Sequence, residues 1–325
     1  MQRVLVASAV FLTVLAVLVT FGPRPAQDTT IRFDPADLGP DLDAYLAGME
    51  TAVPGIKPGA ERRIVWADTS SRTRTSISII YIHGFSATNR EIRPVVEELS
   101  AALGANAYFS RLKGHGLDGQ ALAEATLNDW VNDMAEAIAI GERLGERVVV
   151  VGMSTGATLA TWAAGNPRMA AKMAALVMLS PNYGIQGAST GMLNMPWAET
   201  LLPAIFGETR QFKPENEEHG HWWTTSYPSR AVFPMAALLD AGRKGDVSRS
   251  AVPALFIYSP KDKVVDHVLT RNVYSRWGGD KGELVLKETG DPSNHIIAGD
   301  ILSPSTTSLV VERTLEFLGS KANIP

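Results

Sequence analysis

The sequence predicts an α/β fold: a mostly parallel central sheet flanked by helices, with an inserted cap and an apolar N-terminal segment. Three observations predict it. Short apolar runs alternate with helical patterns from Ile64 to Leu318, and such alternation builds parallel sheets with helical crossovers. The alternation lapses for roughly 70 residues between Asn182 and Ser250, where Pro, Gly, Trp and Met occur without a clean period. Ahead of that lapse, the unbroken apolar run Val148 to Val151 leads into Gly152-Met153-Ser154-Thr155-Gly156, whose glycine spacing suits a sharp strand-to-helix turn.

Taken from the N-terminus, Met1-Gln2-Arg3 precedes an uncharged stretch from Val4 to Gly22. As a helix that stretch is roughly 28 Å long, enough to span a bilayer. Gly22-Pro23-Arg24-Pro25-Ala26 offers no good small-x-small cleavage site, so residues 1–27 are expected to form an uncleaved anchor, with an export signal as the first alternative and a buried core helix as the second. Either of the first two readings places the rest of the chain outside the cytoplasm, because Arg3 favours retention of the N-terminus inside.

A polar connector follows from Gln27 to Pro40, and Asp41 to Met49 has the composition of a short helix. Strand patterns cover Ile64-Val65-Trp66 at an edge, Ser76 to Ile82 and Ala107 to Leu112, with a helical pattern from Glu91 to Leu103 between the last two. Leu127 to Leu144 reads as a helix, Arg147 to Val151 as a strand, Ala157 to Ala164 as a helix stopped by Gly165-Asn166-Pro167, and Ala174 to Leu179 as a strand. After the irregular stretch come a strand at Pro253 to Tyr258, a helix at His267 to Trp277, a strand at Glu283 to Lys287 and a helix at Ser305 to Leu318. The expected division is a core of residues 28–182 and 251–325 with a cap of residues 183–250.

Composition removes several classes of function. A formal net charge of −4 without any concentrated basic face argues against nucleic acid as a partner. The absence of cysteine rules out a disulfide, a thiol nucleophile and a thiolate metal site. His219 and His221 have no third ligand at convincing spacing, so they are expected at the surface or a pocket rim, and neither metal nor cofactor is expected.

Ser154 on a strained turn is a candidate nucleophile; the competing reading is an ordinary turn whose serine only caps the next helix. A serine hydroxyl attacks an acyl carbon at neutral pH only when a histidine takes its proton, and that histidine needs a carboxylate to hold its tautomer. His295 lies in the loop Gly290-Asp291-Pro292-Ser293-Asn294-His295, and Asp262 follows the strand ending at Tyr258. Asp266 stands at the start of a helix, where acids favour the helix dipole, so Asp262 is preferred. Asp291 and Asp300 are expected as caps or solvated acids, and His267 on a helix face. Backbone N–H groups of Thr155, just past the serine, and Phe85, in the turn His83-Gly84-Phe85, are the candidate oxyanion donors, with His83 bracing that turn.

Six segments in order, HGFSAT (83–88), KGHG (113–116), DWVND (129–133), GMSTG (152–156), PKDKVV (260–265) and the His295 loop, resemble the α/β-hydrolases, and within them the carboxylesterase and monoacylglycerol lipase group. The resemblance covers most of residues 75–320 outside the cap. It implies a serine nucleophile at Ser154, an acid at Asp262, a histidine at His295 and oxyanion donors at Phe85 and Thr155. Ala157 departs from the second glycine of many relatives, and the cap aligns with nothing in the family. Met192, Met195, Trp197, Leu201, Leu202, Phe206, Trp222, Trp223 and Phe233 supply apolar surface there, either for an acyl pocket or for the cap's own core. The expected activity is hydrolysis of short- to medium-chain acyl esters or monoacylglycerols. Acyl transfer, thioester or peptide cleavage by the same residues is the first alternative, and a non-catalytic binding module on the same scaffold the second.

Overall fold

Side-chain alternation decides the layering. Along strand Gly145–Met153, Val148 and Val150 pack into one apolar cluster while Val149, Val151 and Met153 pack into another. A strand buried on both faces needs helices above and below the sheet. The computed structural model, which describes residues 2–187 and 190–324, has that arrangement. Met1, residues 188 and 189 of the expected cap, and Pro325 lie outside the described residues.

The strands are β1 (Arg63–Val65), β2 (Thr75–Ile82), β3 (Asn106–Phe109), β4 (Gly145–Met153), β5 (Met173–Leu179), β6 (Thr209–Gln211), β7 (Ser226–Pro228), β8 (Ala254–Tyr258) and β9 (Lys281–Val285). Seven of them form one sheet in the order β1-β3-β2-β4-β5-β8-β9, in which only the edge strand β1 runs antiparallel. On one face lie helices Leu127–Leu144 and Thr155–Gly165; on the other lie Val95–Leu103 and Pro304–Lys321. This is the α/β-hydrolase architecture, and it gathers the loops after β2, β4, β8 and β9 at the carboxyl ends of parallel strands, where open α/β sheets place their sites.

Several expected elements shift for identifiable reasons. The helix expected from Glu91 begins only at Val95, because Arg93 precedes Pro94 and a residue before proline is disfavoured in helical conformation. The last strand is Lys281–Val285 rather than Glu283 to Lys287, pinned by pairing with Ala254–Tyr258. The irregular stretch between β5 and β8 contains the antiparallel pair β6–β7 and the helix Val232–Lys244. That helix escapes detection by period because Phe233, Met235, Ala236, Ala237, Leu238, Leu239 and Gly242 are all buried, leaving no polar stripe over most of its length. It packs on the helix after Ser154 so closely that a methyl group at Gly242 would lie 2.6 Å from the Thr158 methyl carbon.

The reading of residues 1–27 as a membrane-spanning anchor is overturned. Among the described residues, no helix is long and apolar enough to cross a membrane. The uncharged run does form the helix Gln2–Phe21, which leaves Leu5, Phe11 and Phe21 exposed. Its end is fastened to the insertion rather than free: Trp197 donates its indole N–H to the Leu18 carbonyl at 3.0 Å and its backbone N–H to that of Pro23 at 2.7 Å. Placement of the remaining chain outside the cytoplasm falls with the anchor.

Behind the sheet end that carries the loops sits a buried charge cluster with no counterpart in local sequence pattern. Arg62 contacts Asp133 at 3.2 Å, Glu136 at 3.1 Å and Glu50 at 3.5 Å, and Arg111 binds Glu50 through two nitrogens at 2.7 and 2.9 Å. Burial raises the Asp133 carboxyl to about 6 even though Arg62 and the Lys113 N–H pull it down. Asp133 accepts the Lys113 N–H at 2.7 Å and Trp130 donates to the Lys113 carbonyl at 3.0 Å, so the DWVND and KGHG segments brace each other. Removing Arg62 leaves Asp133 and Glu136 without their cation, while Glu50 keeps Arg111. Arg62→Ala is expected to lower the unfolding free energy by about 3–5 kcal/mol, read from denaturant melts.

Candidate active site

Ser154 follows β4 with φ 51° and ψ −117°, a left-handed conformation costly for any residue with a Cβ. Its surroundings over-determine it. The Ser154 N–H donates to the Leu179 carbonyl at the end of β5 at 2.8 Å, and its carbonyl accepts the N–H groups of Thr158 and Asn182 at 3.2 Å each. The flanking glycines are sterically required: a methyl group at Gly156 would lie 2.2 Å from the Ile82 carbonyl oxygen, and one at Gly152 would lie 2.7 Å from Ala157 Cα. Although Ser154 occupies the N-cap position of helix Thr155–Gly165, its side chain makes no capping bond.

The hydroxyl meets His295 instead, with Ser154 Oγ 2.9 Å from His295 Nε2. His295 Nδ1 lies 2.8 Å from Asp262 Oδ2, so the three side chains form one hydrogen-bonded line. Asp262 accepts the N–H groups of Val264 at 2.7 Å and Val265 at 2.9 Å on its other oxygen, leaving Oδ2 for the ring. Nδ1 therefore donates to the carboxylate, and Nε2 is left to accept the serine proton. Burial works against a charged imidazole at His295, yet Asp262, with Glu91 and Asp291 further off, raises its pKa above the ordinary histidine value.

The loop that carries His295 is shaped by Asp291, which is neither a helix cap nor a solvated acid. Its carboxylate accepts the N–H groups of Ser293 at 3.0 Å and of His295 and Ile296 at 2.9 Å each. Burial alone would raise this carboxyl, but the Ser293 hydroxyl and the three N–H donors hold it below the usual range. Lys263 joins the two loops, donating its N–H to the Ser293 carbonyl at 2.9 Å. Asp266 does not reach the histidine; it caps helix His267–Arg276 through the Val268 N–H at 2.8 Å.

The turn after β2 abuts the serine. A methyl group at Gly84 would lie 3.2 Å from Ser154 Cβ, and the next residue is Phe85. Outside bonds internal to helices and strands, the backbone N–H groups of Phe85 and Thr155 donate to no backbone carbonyl among the described residues. His83 is buried, and its pKa is lowered to about 4 by burial, so the ring is neutral. It accepts the Leu112 N–H at Nε2, 3.1 Å away, and donates from Nδ1 to the Gly84 carbonyl at 2.9 Å, bracing the turn from behind. His219 accepts the Glu215 N–H at 3.2 Å and packs edge-on against Trp223.

Residues 73–290 match the model of the serine aminopeptidase, S33, family. The chain belongs to this family. One relative is the thermostable monoacylglycerol lipase of Bacillus sp. (strain H-257), 25% identical over 246 residues that cover 76% of this chain and 92% of the relative. Among solved structures, the metagenome-derived lipolytic enzymes LipS and LipT are represented by a chain with TM-score 0.66 at 22% identity, covering 81% of this S33 chain and 99% of that one. The monoacylglycerol lipase of Paleococcus ferrophilus superposes with TM-score 0.59 at 14% identity, covering 80% and 98%. At those identities the superpositions establish the α/β-hydrolase fold of this S33 member.

The strain at Ser154 is separable from its hydroxyl. Glycine adopts positive φ without steric cost, so Ser154→Gly is expected to raise the unfolding free energy by about 1 kcal/mol, measured by chemical denaturation against wild type.

Proposed function

We propose that the protein is a serine hydrolase of carboxylic esters, acting on short- to medium-chain acyl esters or monoacylglycerols, with Ser154, His295 and Asp262 as its catalytic residues. The observation that carries the reading is the unbroken hydrogen-bonded line from Asp262 through His295 to the strained Ser154. His295 takes the Ser154 proton as Oγ attacks the acyl carbon, and the N–H groups of Phe85 and Thr155 hold the oxygen that becomes negative. The imidazolium, paired with Asp262, returns the proton to the leaving alcohol. A water, deprotonated by His295 in turn, then attacks the serine ester, and His295 returns that proton to the departing Ser154 Oγ as the acid leaves.

The ester class is supported by the Bacillus relative, a monoacylglycerol lipase aligned over 92% of its own length. Residues 183–250 serve in this reading as a cap over the site, a role supported by their insertion between β5 and β8 at the carboxyl end of the sheet. The family description names an aminopeptidase and so favours a second reading, peptide-bond cleavage by the same three residues. Parallel assays on p-nitrophenyl acyl esters and aminoacyl p-nitroanilides separate the two. Turnover of the esters across a chain-length series, with a fluorophosphonate probe labelling Ser154, is the expected result; turnover of the anilides alone would replace the ester reading.

Ser154→Ala and His295→Ala are each expected to cut kcat by at least about a thousandfold while leaving the thermal midpoint within a few degrees of wild type or above it. The base works only when neutral, and Asp262 holds the His295 pKa above the ordinary value. Activity should therefore rise with pH on a limb whose midpoint lies on the alkaline side of a free histidine, as read from kcat/KM profiles.

A further inference from the structure

Glu91 is buried to 2% exposure and takes no part in the steps above. Its Oε2 accepts the Gly84 N–H at 2.7 Å and the Tyr81 hydroxyl at 2.9 Å. A methyl group at Gly84 would lie 2.7 Å from Glu91 Oε1 and 3.2 Å from Ser154 Cβ, so the carboxyl sits against the turn on which the nucleophile rests. The following N–H is that of Phe85. The backbone of Glu91 is in turn held by the His295 side of the site: the Gly299 backbone packs directly on Glu91 and Ile92, and the Asp300 N–H donates to the Arg93 carbonyl at 2.8 Å.

Resting on the hydrolase reading, we propose that Glu91 is a positioning residue, whose carboxyl fixes the Gly84–Phe85 turn so that the Phe85 N–H meets the developing oxyanion, and which faces the His295 side of the site. Two features make this more than packing. A carboxyl whose oxygen accepts two donors fixes the Gly84 peptide plane, and the Phe85 N–H direction depends on the turn that this plane begins. Its charge is also felt by the histidine, raising the His295 pKa along with Asp262 and Asp291.

The groups around Glu91 are Tyr81 from β2 and His295 from the loop after β9; Arg90 and Arg93 on its own segment pair with Asp300 and Glu97. Burial raises the Glu91 carboxyl to about 7, against the lowering effects of the Gly84 N–H, the Tyr81 hydroxyl and His295. The folded protein thus holds this proton more tightly than the unfolded chain. The associated stability is complete below the unfolded value of 4.5 and is lost as pH rises through about 7.

The test compares Glu91→Gln, which keeps an acceptor but no charge, with Glu91→Asp, which keeps the charge on a shorter arm. Glu91→Gln is expected to lose kcat about tenfold with KM within about twofold, a partial form of losing an oxyanion donor. The acid limb of its kcat/KM profile should move to lower pH, by less than about half a unit, since Glu91 is only partly ionised over that limb and Glu91→Gln removes only that fraction of an anion facing His295. Glu91→Asp should restore the limb but not kcat. Tyr81→Phe, which leaves Glu91 in place, should lose kcat about threefold and serves if neither Glu91 variant folds. Wild-type kcat and an unmoved limb in Glu91→Gln, or wild-type kcat in Tyr81→Phe where only that variant folds, would overturn the role of Glu91 alone. Failure of the wild-type protein to hydrolyse esters or to label at Ser154 would overturn the hydrolase reading and this inference with it.

Discussion

Everything at the site depends on holding Ser154 at a backbone conformation that an isolated chain would abandon. A non-glycine residue at φ 51° and ψ −117° stores on the order of 1–3 kcal/mol, and the fold must over-determine it. Three strands share that task. β4 delivers the serine, the end of β5 accepts its N–H through Leu179, and the end of β2 leaves just enough room for Gly156 against the Ile82 and His83 carbonyls. Because these strands are central and parallel, with helices on both faces, none can shift without dragging a buried cluster with it.

The loops that meet the serine are stiffened by a different device. Asp262 and Asp291 each gather backbone N–H groups, so both loops are built around carboxylates that are held by their own chain before they act on anything else. Lys263 then clips one loop to the other through the Ser293 carbonyl. In the proposed hydrolase reaction, preorganisation of this kind would spare the hydroxyl, ring and carboxylate any rearrangement during proton transfer. Further back, the Arg62 and Arg111 cluster holds helix Leu42–Thr51, helix Leu127–Leu144 and the chain beyond β3 in one unit, with little left for solvent to screen.

Local signals in the sequence were enough wherever the structure is made of neighbours in the chain. Helix Leu127–Leu144 was readable to the residue, since Thr126 and Asp129 form a reciprocal cap at its start and its apolar stripe is long. Ser154, Asp262 and His295 were readable because each follows a strand pattern, and the structure brings their side chains together. Glu91 was not: it was read as the start of a helix, and only the fold places its carboxyl under Gly84. The same holds for the Arg62 cluster, whose partners are far apart in sequence and leave no period; Asp291 has its partners Ser293, His295 and Ile296 close by in the chain, but its residue type alone does not distinguish a loop anchor from a helix cap. Helix Val232–Lys244 failed for the opposite reason, being buried on nearly every side. The N-terminal run misled because apolar length alone specified a helix, whereas its setting is decided by Trp197 and the insertion.

That inserted helix divides the segment between β5 and β8 into two parts with different freedom to change. Gly242 presses against Thr158, and the helix is thereby tied to the one that follows the serine, so its sequence is constrained by the elbow itself. The stretch from Met192 to Phe212 carries exposed Met195, Leu201, Ile205 and Phe206 and is joined to that helix chiefly through contacts at its own start, such as the Asn194 amide on the Ala236 carbonyl. Over evolutionary time, or in a mutant library, the outer stretch can drift, lengthen or be exchanged while the elbow's packing stays intact. The scaffold thus pairs an outer module of few ties with a base that the elbow's packing constrains.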